Sequence, residues 1–399
     1  VKDIKKKRDV SLPDDVITTE IEDIFTNKDI DLVVELIGGE EPAFSYIKRA
    51  IKAGKSIVTA NKLVIAKHGE EIHEMARKHG VEISFEGSVA GGLPIIRPLK
   101  ESLAANRIKE IYGILNGTTN YILTQMTEKK ESFTKVLKKA QDLGFAERDP
   151  SSDISGRDAA YKISILSSIA FESFVDVESI HVEGIENIDP VDIELAEELG
   201  YVIKLVAIAK KINGKLDIRV HPTFISQNHP LALVNGVYNA VYLQGDAVGD
   251  VMSYGKGAGQ MPTASAVVAD IIQVARCICG QTPGSSLISS TSLAPIRPIE
   301  QVENSFYLRI QVNDRPGVMA QVTKVLGDNH VSLASVLQKH RLSPVVPLVL
   351  ITHPVKEKHL NQSLSELKNI DDVIEINSVI RVQEETEVEQ EKIEGKKGE

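Results

Sequence analysis

Cysteine is almost absent from this sequence: Cys277 and Cys279 are the only two in 399 residues. Two are too few for a disulfide framework or a four-ligand zinc site, so a reducing cytosol fits and a cytoplasmic protein is expected. Long apolar runs are lacking as well, since no stretch reaches the roughly 18 residues of a membrane span. The opening VKDIKKKRDV has no hydrophobic segment behind it, and nothing there reads as an export signal. Positive charge is in deficit. With 46 Lys and Arg against 56 Asp and Glu, the formal charge is −10 and the pI about 5.6. That balance argues against nucleic acid or an anionic membrane as the main partner and for a small ligand. What is present is globular: 42% hydrophobic and 26% charged residues exclude a disordered or fibrous chain, and 43.6 kDa leaves room for two or three domains.

Residues 1–105 alternate between strand and helix: DLVVELIG, a helical stretch near 42–53, KSIVTA, a helix over about 63–79, then VEISFEGS. That alternation predicts a parallel sheet with crossover helices. The apolar strand and glycine-rich turn that open a doubly wound nucleotide fold are missing, so the domain reads as a partial Rossmann-type one and residue 1 as a cut edge. Over 106–262 the character is α+β, with an apolar helix near 159–171 and YVIKLVAIAKKI, LDIRVHPTFI and NAVYLQG as strands of a second sheet. Lysines inside YVIKLVAIAKKI leave room for a surface-facing side. The glycine-rich YGKGAGQMP leads into an apolar helix over 263–280, and the Ser, Thr and Pro of 281–305 read as a linker. Residues 306–383 give strand, helix, two strands, helix and strand, a ferredoxin-like module, and 384–399 read as a disordered charged tail.

Several residues are candidates for chemistry. Asp158 and Lys162 stand four apart on one helix face; alone they read as a surface pair, but the helix beyond them, ISILSSIAF, is apolar and so enters the protein. Lys62 follows KSIVTA in a turn at the carboxyl end of a parallel strand, where open α/β sheets bind ligands. By itself it is an ordinary loop lysine. FEGSVAGGLP can fold tightly and turn carbonyl oxygens inward, which suits a hard cation, although a bend between domains is the plainer reading. Gly257 and Gly259 precede a helix start, whose free N–H groups offer an anion or nucleotide contact, although a lone helix start is a weak signal. In ILNGTTNYIL, Thr118 or Thr119 is placed to cap a helix, the alternative being that Asn116, Gly117, Thr118 and Thr119 line the substrate site. His340, His353 and His359 make no metal spacing.

Four stretches in order, TANKLVIA at 59–66, FEGSVAGGLPII at 85–96, GILNGTTNYIL at 113–123 and LGFAERDPSSDISGRDAAYK at 143–162, resemble homoserine dehydrogenases, and the last module resembles an ACT domain. The resemblance implies an NAD(P)-dependent enzyme that interconverts L-homoserine and L-aspartate 4-semialdehyde in threonine, methionine and isoleucine biosynthesis. It implies that 106–262 is a substrate and dimerisation domain in a homodimer or higher homo-oligomer, and that helix 263–280 returns to the nucleotide domain. It makes Lys162 the proton-transfer residue and Lys62 a second catalytic residue that lies against cofactor and substrate, with Glu147 and Asp158 holding the substrate. Val1, Lys2, Gly144 and Gly259 match contacts to NADP or NAD, Lys2 as a basic residue beside the ribose. Main-chain oxygens of Glu86, Val89, Gly91 and Leu93 match a Na+ or K+ site. Asn313, Asp314 and Pro316 to Val318 form the turn at which ACT domains bind an amino acid, threonine being the family's usual end product. A rival from another class is an inert amino-acid sensor on a dehydrogenase scaffold; retention of Lys62, Glu147, Asp158 and Lys162 counts against it.

Overall fold

The computed structural model describes residues 10, 12–13, 16–280, 293–338 and 343–383. Val1, Lys2, residues 281–292 of the expected linker, His340 and the charged tail lie outside the described residues. The first sheet has three parallel strands, Leu32–Glu35, Ser56–Thr59 and Ile83–Ser84, paired in that order. Helices Ala43–Lys52 and Lys62–His79 make the crossovers. The central strand is buried along its whole length, so its alternating side chains need a partner on each face. Ile57 joins the main core with Ile47 and Ile72, whereas Val58 packs with Val267 and Val274. Those two belong to helix Gln260–Ile278, so the second face is covered by a helix from far along the chain. By length and composition this helix could span a membrane, a mark the sequence reading did not see reached. It carries Asp270, however, which accepts the Glu86 N–H at 2.8 Å and an Arg97 bond at 3.1 Å, and it lies along the parallel sheet.

The second sheet has eleven strands. Ile108–Ile114, Tyr201–Ile212, Lys215–Ser226, Tyr238–Gly245 and Gly249–Lys256 form one part, and Glu303–Asn313, Leu333–Gln338, Val345–Thr352 and Val373–Val382 form the module's part. The two parts join edge to edge: Val373–Val382 pairs in parallel with Lys215–Ser226, Arg381 opposite Thr223 and Val382 opposite Phe224. Side chains seal the join. Tyr307 stacks on Phe224 at 4.5 Å between ring centres. Asp192, fully buried, accepts from Tyr307 Oη at 2.7 Å, from Arg309 Nε at 2.6 Å and from the Ser378 hydroxyl. Arg381 pairs with Glu183 at 2.9 Å and with Glu357.

Two expectations change here. The stretch expected as linker is packed at its far end: Leu293 and Ile296 bridge to Phe174 and Leu216, and the module's first strand begins at Glu303. The strand expected to keep lysines on the surface buries Lys204, whose Nζ donates to Val234 O at 2.6 Å, Asn235 Oδ1 at 2.9 Å and Asn120 Oδ1 at 3.2 Å. Three acceptors satisfy the ammonium where periodicity alone suggested water.

Removing residues 303–399 strips Asp192 of Tyr307, Arg309 and Ser378. An uncompensated buried charge costs about 3–5 kcal/mol, and the bared strand edge invites association. The remaining protein should accumulate as insoluble material, read out as soluble yield against the parent.

A second expectation concerns acid. His73 is buried, its Nδ1 2.7 Å from the Gly69 carbonyl, and burial, with Lys100 adding, pushes its pKa down to about 4. The unfolded chain, with His near 6.5, then binds the extra proton first, so stability falls as pH drops from about 6.5 toward 4. His73→Gln should shrink the stability lost between pH 7 and pH 5 by about 2 kcal/mol, measured by urea unfolding at both.

Candidate active site

The site begins where the first sheet's strands end. Glu35, buried at the end of its strand, accepts the N–H groups of Ile37 at 2.6 Å and Gly38 at 3.3 Å, which folds the chain into the turn at Gly38 and Gly39. Both glycines have left-handed φ, +76° and +74°. The other Glu35 oxygen accepts from Thr59 Oγ1 at 2.6 Å, and Asn61 Nδ2 donates to Gly39 O at 2.7 Å. Asn61 also caps helix Lys62–His79, accepting the Val64 N–H at 3.3 Å. Lys62 is therefore held as the first residue of that helix.

The second wall comes from the other sheet. Strand Ile108–Ile114 runs through Leu115 to Asn116, whose Oδ1 accepts the Thr119 N–H at 2.8 Å and caps helix Gly117–Lys129. The cap expected at Thr118 or Thr119 is thus Asn116. Its Nδ2 donates to Asp153 Oδ1 at 2.7 Å and to Asp158 Oδ2 at 2.8 Å. Helix Arg157–Ala170 starts after Gly156, where φ is +84° and a Cβ would meet Val182 at 3.0 Å. Only glycine allows that tight entry, which turns Asp158 inward.

Asp158 is the centre of the arrangement. Its side chain is nearly inaccessible, with Oδ1 2.6 Å from Lys62 Nζ and Oδ2 2.7 Å from Lys162 Nζ. Lys162 Nζ donates a second bond to Leu115 O at 2.7 Å. Burial opposes the Asp158 charge, but the Lys162 and Lys62 ammoniums together hold its carboxyl well below the usual range. Burial likewise opposes the Lys62 charge, and Asp158, with Asp153 and Glu147 behind it, raises its pKa nonetheless. Asp153 is pushed up by burial, its bond from Asn116 notwithstanding.

Other candidates fall around this centre. Glu147 is exposed and acts on Lys62 through its charge. Gly144, at φ +76°, turns the chain into Phe145, whose carbonyl accepts from Thr118 Oγ1 at 2.9 Å, so this loop is stitched to the helix start at Gly117. Gly259, at φ +121°, opens helix Gln260–Ile278. The two glycine stretches pack on each other: a Cβ on Gly91 would stand 2.8 Å from Thr263 Oγ1, and one on Gly92 2.6 Å from Lys256 O. Glu86 spends its carboxylate on the N–H groups of Ile95, Ile96 and Arg97 at 2.6–2.8 Å. Only its main-chain oxygen is left for a cation. Val89, Gly91 and Leu93 are buried, and no bond to their carbonyls forms among the described residues. Carbonyl oxygens without an internal partner suit a hard cation, so this set fits one. Asp153, Glu35 and Asn61 are the polar residues that the sequence did not point to, whereas Asn116, expected only to line the substrate site, also caps a helix and bonds two carboxylates.

A family model described as homoserine dehydrogenase matches residues 94–272, one for the homoserine dehydrogenase NAD-binding domain matches 1–86, and an ACT domain model matches 306–372. Homoserine dehydrogenase from Synechocystis sp. is 48% identical over 391 residues, 96% of this chain and 90% of that protein. The chain belongs to the homoserine dehydrogenase family. The crystal structure of the enzyme from Thiobacillus denitrificans superposes with a TM-score of 0.88 at 44% identity, over 92% of this chain and 85% of that one. A hyperthermophilic archaeal homoserine dehydrogenase in complex with NADPH aligns at TM-score 0.58 and 32% identity, over 68% of this chain and 78% of its own. The cluster around Asp158 therefore belongs to an NAD(P)-dependent oxidoreductase that acts on homoserine, and the scaffold-only reading is not favoured.

In a homoserine dehydrogenase built this way, Asn116 joins two helix starts and two carboxylates. Asn116→Ala should cost about 1–3 kcal/mol of stability, from the lost cap and the bonds to Asp153 and Asp158, as measured by chemical denaturation.

Proposed function

We propose that Lys162 is the proton-transfer residue for the interconversion of L-homoserine and L-aspartate 4-semialdehyde. The observation that carries this reading is the position of its Nζ, fixed by Asp158 at 2.7 Å and Leu115 O at 2.7 Å. An ammonium has three donors, and those two bonds leave one for a substrate oxygen. The bound nicotinamide, NADP or NAD, supplies or accepts the hydride. In the reducing direction the aldehyde oxygen takes a proton as hydride arrives at its carbon, and a lysine ammonium is already the acid required. In the oxidising direction the nitrogen must first give up a proton, and the neutral amine then receives the hydroxyl proton.

Substrate binding follows from charge. Homoserine and its semialdehyde carry an α-ammonium, which Glu147 or Asp158 holds, and an α-carboxylate, for which Lys62 is the cation reached at the cleft's other wall. Lys62, Gly144 and Gly259 surround the cofactor, together with Val1 and Lys2. The carbonyls of Glu86, Val89, Gly91 and Leu93 hold Na+ or K+, a structural ion between the two glycine stretches. The ACT module binds threonine at the turn where Asn313 and Arg315 both hold Asp372, at 2.9 Å and 2.6 Å. The enzyme works as a homodimer or larger homo-oligomer in the cytoplasm, in threonine, methionine and isoleucine biosynthesis.

Lys162→Ala should lower kcat by at least about 10²-fold, the range for loss of a positioned acid or base, with a smaller change in KM for homoserine. Steady-state kinetics in both directions checks this; comparable turnover in variant and parent returns Lys162 to a mere partner of Asp158.

A further inference from the structure

Asn239 is the second residue of strand Tyr238–Gly245 and is 1% exposed. Neither its amide nitrogen nor its amide oxygen has a hydrogen-bond partner among the described residues. A buried amide unpaired at both ends destabilises a fold, and such a group calls for an explanation. Its neighbours at this end of the strand are paired: Asn120 Nδ2 donates to Tyr238 O at 3.0 Å, and the Gly236 N–H to Thr124 Oγ1 at 3.0 Å. The shortfall is confined to one side chain.

Its surroundings place it between the catalytic wall and the glycine turn. The ladder sets Ile114 opposite Ala240, so Asn239 lies beside Leu115, whose carbonyl holds Lys162. On the other side, a Cβ on Gly257 would stand 2.1–2.3 Å from the Asn239 amide, and one on Gly117 3.4 Å from its oxygen. Two glycines thus leave the amide against bare backbone. Backbone N–H and C=O are the natural partners of an amide, yet here the turn lies against it without bonding.

We propose that Asn239 is a positioning residue for the cofactor turn: when the nicotinamide cofactor is bound, residues 257–259 settle so that their backbone hydrogen-bonds the Asn239 amide. The start of helix Gln260–Ile278 is then fixed against the strand end that holds Lys162. This rests on the reading that Gly259 contacts the cofactor. The ligand-free protein carries the unpaired amide as a destabilisation, and the bound state relieves it. A state relieved by a ligand is one that the ligand favours, so the amide adds to cofactor affinity.

Asn239→Leu, close in size and unable to hydrogen-bond, tests this. Its ligand-free Tm should rise, because an unpaired amide gives way to an apolar group. Its affinity for NADPH, by fluorescence titration, should fall by at least about tenfold, the scale of one lost hydrogen bond. KM for the cofactor should rise with it, and KM for homoserine should not. Asn239→Asp, which keeps the shape and an acceptor but loses the donor, should fall between Leu and the parent in NADPH affinity. Gly259→Ala reports on the underlying reading. Unchanged NADPH affinity in Gly259→Ala means that the turn does not meet the cofactor, and both claims fall. Weaker binding in Gly259→Ala with parental binding in Asn239→Leu overturns the role of Asn239 alone. A lower ligand-free Tm for Asn239→Leu overturns it too, because the amide would then already be paired.

Discussion

Two lysines from helices of different domains share one buried carboxylate, and the geometry of the cleft depends on that sharing. Lys62 opens a helix of the parallel sheet, whereas Asp158 and Lys162 sit on a helix of the second domain. A carboxylate so deeply buried is tolerable only with compensating charge, and here two ammoniums supply it at 2.6 and 2.7 Å. Neither sheet provides the compensation alone, so the two domains are held in register across the site. A zwitterionic amino acid carries no net charge, so its binding beside this cluster, as proposed above, would leave the compensation of Asp158 intact.

The same logic of buried compensation joins the ACT module to the body. Asp192, on helix Pro190–Glu198 of the body, finds its donors on the module's strands, and Arg381 of the module finds Glu183 of the body. With the backbone pairing between Val373–Val382 and Lys215–Ser226, these contacts make one continuous sheet out of two modules. The helix that carries Asp192 also packs on helix Gly117–Lys129, whose cap is Asn116. The module is thereby part of the scaffold that positions the site.

Much of this was legible in the sequence, because its signals are local. The strand and helix alternation of 1–105, the helix bearing Asp158 and Lys162, and the ferredoxin-like order of the module all follow from periodicity within short windows. The apolar helix behind Asp158 pointed toward its inward turn, but the pair by itself read as a surface one, and the family resemblance was what reversed that reading. The join between sheets was not, since strands Lys215–Ser226 and Val373–Val382 are far apart in the chain and each reads as an ordinary strand. Lys204 escaped for a related reason: its three acceptors come from a helix and a loop that a local pattern cannot bring together.

The glycine stretches show how such distant pairings shape a site. FEGSVAGGLP and YGKGAGQMP each look like a flexible bend, and glycine's freedom is the usual reason for such a run. At Gly91, Gly92 and Gly257 the reason is different, because the space where a Cβ would stand is filled: by Thr263, by the Lys256 carbonyl and by the Asn239 amide. Each stretch is bare because something from another part of the chain lies against it. That close approach brings the carbonyls of Val89, Gly91 and Leu93 beside the start of helix Gln260–Ile278, and that helix closes the open face of the nucleotide sheet through Val58, Val267 and Val274. The backbone contact between two turns therefore couples the candidate cation loop and the candidate cofactor turn to the core of the first domain, and a side chain on Gly91 or Gly92 would push them apart.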